Sequence, residues 1–263
     1  MERARRTDTQ PLFPGQESLR IQLGIGRGCR CKHLKGLDVN VISFEDDDIT
    51  AKKSHIRGIC EEIRKRDLKM SWIAHARVDE LEPALMAEMK KAGCILLRLG
   101  VEAGSERVLK LLKKNPKGLD WKKTCKSIFH EARRLGIATN GLIILGNPEE
   151  TREEVENTIR LVLELDPDMI QVHFFTPYPG SPAYEDYKEQ IEKDQISRMH
   201  HYNLPDINLS AISPEVLWKL RGKLYKKLLL RPSFILKHLY HYGPFYLTNP
   251  RVFKQLSKVA KII

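Results

Sequence analysis

Two cysteines one residue apart, Cys29 and Cys31, sit in the glycine-rich stretch "GRGCRCKHLKG", directly after a short aliphatic run. Thiolates this close together suit a soft metal ion, so the pair is a candidate metal site. The other polar residues with chemical potential also follow aliphatic runs. They are residues 45 to 48 in "FEDDD", His75 and Arg77, Glu102, residues 146 to 150 in "GNPEE", and residues 176 to 180 in "TPYPG". In parallel α/β folds the loops after the strands converge on one rim and are free of packing duty, and function collects there.

Each group has a plainer reading beside the chemical one. The acids of "FEDDD" are equally suited to the positive end of a helix starting near Thr50. Glu102 either satisfies backbone amides at a helix start or faces a pocket, where a carboxylate can accept two hydroxyl hydrogen bonds from a ribose. "LGNPEET" reads as a tight turn. "TPYPGSP" is held extended by three prolines, with carbonyls that could receive an adenine amino group. His173, His200 and His201 read as structural, and Cys60, Cys94 and Cys125 as small core residues.

The elements that position these residues alternate in kind. Aliphatic runs at 20–26, 39–44, 70–76, 94–102, 137–145 and 169–176 read as six strands. Helices are expected at about 52–66, 80–92, 105–114, 120–135 and 151–165. The stripe Ile56, Ile59, Cys60 and Ile63 marks the first helix, and Val155, Ile159, Val162 and Leu163 the last. Thr151 with Glu153 and Glu154 supplies a cap and an acidic first turn. This is the pattern of parallel strands joined by helical crossovers. One crossover departs from it: between Gly26 and Val39 about a dozen residues carry no apolar stripe, so the first helix is missing. Beyond Pro182 the rhythm ends. A polar helix is expected over "PAYEDYKEQIEKDQI", then a loop, then two amphipathic helices divided at Pro232, with Ser213 and Pro214 starting the first.

Composition bounds the answer. The chain has 263 residues, 41% hydrophobic and 30% charged, which fits one main globular domain with appendages. The longest apolar runs fall far short of the roughly 18 residues a membrane span needs. No secretory leader is visible, and five cysteines suit reduced thiols, so a cytoplasmic location is expected. The net charge of +11 is concentrated after Ser213, where eleven Lys or Arg face a single acid, Glu215. Such a tail is either a solvated basic face or a contact for nucleic acid or an anionic membrane surface. The expected organisation is a flexible arm at 1–19, a barrel at 20–182, and a basic helical extension at 183–263.

The segments "VISFEDDDITAKKSHIRGICEEI", "SWIAHARVDELEPALMAEMKKAGC", "LLRLGVEAGSERVL", "ATNGLIILGNPEETREEVENTI" and "DPDMIQVHFFTPYPGSPAY", in this order, resemble the radical S-adenosylmethionine (SAM) superfamily. The likeness is closest to the branch whose members often carry a cobalamin-binding domain. It implies a partial (βα)6 TIM-like barrel of parallel strands, a 4Fe-4S cluster held by cysteines spaced CxxxCxxC, and SAM chelated to its fourth iron, the source of a 5′-deoxyadenosyl radical. By position Cys29 would be the first cluster ligand, Asp46 would lie near the SAM amino group and Glu102 near its ribose. Gly146 would flank the methionine and adenosine part, and Thr176 and Tyr178 the adenine. The substrate implied is a small or lipid-like molecule.

The departures are equally specific. The second and third ligand positions hold His33 and Gly36, and Cys31 is out of register. The segment that carries two ligands and the first helix in the family is missing. Glu149 stands where the branch has glycine, and no cobalamin-binding domain is recognised, so cobalamin is not expected. A working radical enzyme, a non-catalytic remnant or binding module, and a basic nucleic-acid- or membrane-binding protein remain as alternatives.

Overall fold

Alternating aliphatic runs and one-sided helical stripes build the strands and helices in the expected order. The computed structural model describes residues 18–21, 41–202, 207–232 and 234–236. Cys29, Cys31, the short first connection and most of the basic tail lie outside the described residues. The strands are β1 (Ser18–Ile21), β2 (Val41–Phe44), β3 (Ser71–Arg77), β4 (Cys94–Glu102), β5 (Ala138–Leu145) and β6 (Met169–Phe174). They lie in one sheet in sequence order, and the pairs from β1 to β4 are parallel. Between them come α1 (Lys53–Lys65), α2 (Pro83–Lys91), α3 (Glu106–Leu111), α4 (Trp121–Leu135) and α5 (Arg152–Leu165). Sequential parallel strands with helical crossovers make this an α/β fold of the partial TIM-barrel kind.

The described residues divide into two compact units. One takes the chain up to Val101 with Asn115–Leu142 and Pro167–Ile170. In it α1 buries Ile56, Ile59, Cys60 and Ile63, the stripe expected from the sequence, and each apolar side chain so buried is worth roughly 1.5–3 kcal/mol. The buried indoles of Trp72 and Trp121 donate to the carbonyls of Ala92 and Val101, so neither leaves an unmet polar atom. The strand face away from the helices starts with an apolar floor of Val41, Ile73 and Leu96, against which Ile95 and Ala138 pack.

The other unit takes Glu102–Lys114, Ile143–Asp166 and the residues from Gln171 onward. Its α5 begins with a full capping box between Thr151 and Glu154, as the sequence suggested. The polar stretch after Pro182 is two short helices, α6 (Pro182–Tyr187) and α7 (Lys193–Ile196), in place of one long helix. Neither buries a residue, and without an apolar stripe a long helix has no tertiary support. The carboxy-terminal helix α8 (Pro214–Leu229) starts with proline and buries Leu217, Leu220, Leu224 and Leu228 along one face. Helix resumes at Pro232, where the second tail helix was expected. Among the described residues no helix is long and apolar enough to cross a membrane.

Candidate functional site

In the first unit the strand face changes character two residues above its apolar floor. Moving along each strand by one pleat repeat, Val41, Ile73, Leu96 and Ala138 give way to Ser43, His75, Arg98 and Asn140. His75 and Arg98 are register partners on β3 and β4, and Arg98 Nη1 lies 3.0 Å from His75 Nε2. The same Nη1 reaches Ser43 Oγ at 3.5 Å and stands 3.8 Å from Glu45 Oε1. Ser43 in turn donates to Glu45 at 2.5 Å. Burial, then the Arg98 charge, lowers the His75 pKa below its usual value, so the ring is neutral near pH 7. A guanidinium only donates, so Nε2 accepts and the ring proton sits on Nδ1.

Asp46 follows β2 and lines a small recess with Asp48, Ile49, Lys52 and His55. The acids of "FEDDD" do not cap α1: its N-cap, Lys52, has no side-chain cap bond. Asp48 instead accepts from the backbone and hydroxyl of Thr50 and, at 3.4 Å, from the Arg77 amide. Arg77 is held by Asp79 through two bonds of 3.0 and 2.8 Å.

In the second unit Glu102 ends β4 with a left-handed φ of 63° and is 8% exposed. Its carboxylate pairs with Lys114 at 2.9 Å. Ser105 caps α3, its side chain accepting from the Val108 amide. Gly146 has φ 76°, and a Cβ there would meet Leu217 of α8 at 3.1 Å. The turn it opens is internally bonded. Glu150 Oε2 accepts from the Asn147 amide at 2.9 Å and its side-chain nitrogen at 3.1 Å. Both residues are fully buried, and burial pushes the Glu150 pKa up to about 7. Among the described residues Asn147 Oδ1 and Glu150 Oε1 have no donor. The Glu149 backbone donates to Leu209 and that of Ala211 to Glu150, so the 207–212 loop closes over the turn.

Thr176 and Tyr178 follow β6. The Thr176 hydroxyl returns to the Phe174 carbonyl, and the Tyr178 hydroxyl meets His201 Nδ1 at 2.8 Å. His173, His201 and Tyr202 form a ring cluster with centroids 4.2 to 5.1 Å apart. Burial lowers the His173 pKa to about 4. Gly146 and Glu150 thus share one turn, and Tyr178 joins the histidine cluster. Tyr202 and Arg98 carried no weight in the sequence reading. A single arginine inside the aliphatic run "CILLRLG" was the available signal for the second of these.

Among the described residues no group of three His, Cys, Asp or Glu is arranged to hold a metal ion. Cys60, Cys94 and Cys125 are buried, as expected of core thiols, and burial pushes the Cys60 thiol up to about 12 and the other two higher still. A cluster needs thiolates, and these three favour the protonated form.

The family model for the radical SAM superfamily matches residues 30–162, just over half of the chain. The chain belongs to the radical SAM superfamily. An uncharacterized methyltransferase of Pyrococcus horikoshii is 31% identical over 210 residues, 78% of this chain and 44% of the relative. The anaerobic magnesium-protoporphyrin IX monomethyl ester cyclase of Rubrivivax gelatinosus is 28% identical over 60% of this chain and 28% of its own length. This radical SAM chain therefore spans less than half of either curated relative. In fold it is similar to the radical SAM methyltransferase TsrM of Kitasatospora setae, solved with cobalamin and a 4Fe-4S cluster, at a TM-score of 0.53 and 18% identity. That match covers 58% of this chain and 31% of TsrM, and it shows a shared fold. The family implies a 4Fe-4S cluster and SAM.

Proposed function

We propose that this chain is a radical SAM protein that keeps the strand-end residues for SAM and is impaired in cluster-dependent radical chemistry. The observation that carries the reading is the donor set. The family positions after Cys29 hold His33 and Gly36, and the three described cysteines are buried thiols with raised pKa values. These residues do not fit a cluster held by three thiolates, since only Cys29 is in register and two irons are left without a soft anionic ligand. Losing the first crossover helix would also bare apolar sheet at roughly 25 cal/mol per Å².

For SAM the fit is better. Glu102, carried over to the ribose, is a buried carboxylate held by Lys114 on one oxygen. Gly146, Thr176 and Tyr178, carried over to the remainder of the cofactor, lie on the turns after β5 and β6. Asp46 is the proposed partner of the SAM amino group. Methyl transfer, the activity named for the Pyrococcus relative, is the first reaction to assay.

Anaerobic reconstitution with iron and sulfide tests the reading. The expected result is no broad visible absorption, no cluster signal in electron paramagnetic resonance after reduction, and no 5′-deoxyadenosine from SAM plus reductant. A signal that disappears in Cys29→Ala, together with 5′-deoxyadenosine, overturns it.

A further inference from the structure

The polar layer on β2 to β4 is built like a small-anion subsite. Arg98, Ser43 and His75 come from three adjacent strands, and the first two meet on the same atom, Nη1, that also contacts His75. The layer lies directly above an apolar floor, where a packed barrel interior would continue with branched aliphatic side chains. An arginine 15% exposed in its side chain at that level brings a planar donor fork to a low-dielectric face. The imidazole beside it adds no second positive charge, and Glu45 and Asp47 are the acids that face it.

The carboxylate already present shows which anion fits. Glu45 comes from the loop after β2, is 31% exposed in its side chain, accepts from Ser43, and stands 3.8 Å from Arg98. We propose that Ser43, His75 and Arg98 form a recognition subsite for the carboxylate of a small organic acid, with Glu45 as the placeholder that this carboxylate displaces. The subsite assigns a chemical class to a substrate that the strand-end residues leave open. It rests on the strand face alone, so a failed cluster reconstitution leaves it standing.

The test uses the full chain labelled with nitrogen-15 histidine, with the His75 resonance identified by its loss in His75→Gln. Propionate is the probe and propionamide its neutral isostere. Propionate shifts the His75 resonance saturably, and propionamide does not. Removing a charge-assisted pair costs at least about tenfold in affinity, so Arg98→Met binds propionate about tenfold more weakly and Arg98→Lys falls between. Glu45→Gln removes the competing carboxylate and binds more tightly than wild type. A missing propionate shift, an equal response to propionamide, or unchanged affinity in folded Arg98→Lys overturns the proposal. Weaker binding in Glu45→Gln does so too, because it makes that carboxylate a support and not a placeholder.

Discussion

Arg107 grips Glu154 with both ends of its fork, Nη2 to Oε2 at 2.7 Å and Nε to Oε1 at 2.8 Å, and so ties α3 to the first turn of α5. The same carboxylate takes the Ser105 hydroxyl at 2.8 Å and the Thr151 amide at 2.9 Å. One side chain therefore serves two helix starts. Arg107 above all, and the further bonds after it, hold the Glu154 pKa at about 2, against a usual 4.5. A depressed carboxylate pKa stabilises the fold above the unfolded value, and that contribution is lost as pH falls from about 4.5 through about 2. Glu154→Gln should cost about 1–3 kcal/mol in urea unfolding at pH 7 and much less near pH 2. An equal loss at both pH values would mean that shape, not charge, is what matters at this junction.

Glu150, four residues earlier, titrates in the opposite sense. Burial raises its pKa to about 7, so the folded chain binds a proton that the unfolded chain has released. Its contribution is fully present below about pH 4.5 and disappears as pH rises through about 7. A tenfold change in proton affinity is worth about 1.4 kcal/mol, so wild type should lose on the order of 2–3 kcal/mol of stability between pH 4.5 and 8 from this group. Glu150→Gln keeps an oxygen to accept from Asn147 and cannot ionise. Its melting temperature should therefore vary less over that range than that of wild type, and parallel curves would remove Glu150 as the source.

The two glutamates show what sequence reading reaches. Thr151 and Glu154 were recognisable as a cap pair because capping is local, set by residues three apart. The bond from Glu154 to Arg107 spans 47 positions and has no periodic signature. Strands β2 to β6 and α1, α4 and α5 were legible to within two residues, since apolar spacing alone reports which face is covered. The polar stretch after Pro182 was misread for the complementary reason: with no stripe, propensity had nothing to contradict it. Glu102, Gly146, Thr176 and Tyr178 stood out in the sequence by their place at strand ends, and their roles toward SAM come from family register alone. The meeting of Ser43, His75 and Arg98 depends on strand register, which is a property of pairing and not of any one segment.

Glu149 adopts a left-handed φ of 57° in the turn after β5, at the position where the branch has glycine. A Cβ in that region costs about 1–2 kcal/mol, while glycine costs some 0.5–1 kcal/mol in chain entropy. Glu149→Gly should therefore stabilise the chain by roughly 0.5–1 kcal/mol. The backbone bonds to Leu209 and from Arg107 remain available to it. Glu149→Ala keeps the Cβ and should show no such gain, so equal denaturation midpoints for the two variants would assign any gain to charge removal.

Gly104 is fixed by contact. A Cβ there would lie 2.8 Å from the backbone carbon and oxygen of Asn157 and from Thr158 Cα, atoms of α5 that no rotamer can move aside. At the same point the Gly104 amide donates to the buried Thr158 hydroxyl at 2.8 Å, and that hydroxyl donates onward to the Glu154 carbonyl. Close approach and a satisfied amide are thus one arrangement. Gly104→Ala should cost about 1–3 kcal/mol by forcing α5 away. Thr158→Val keeps the shape but strands the buried amide, at about 1–3 kcal/mol, whereas Thr158→Ser keeps the acceptor and should cost less. Because both substitutions break the same contact, the double variant Gly104→Ala with Thr158→Val should lose less than the sum of the single losses. Additive losses in urea unfolding would show that steric approach and hydrogen bond are independent, and would refute this account of the α3 and α5 junction.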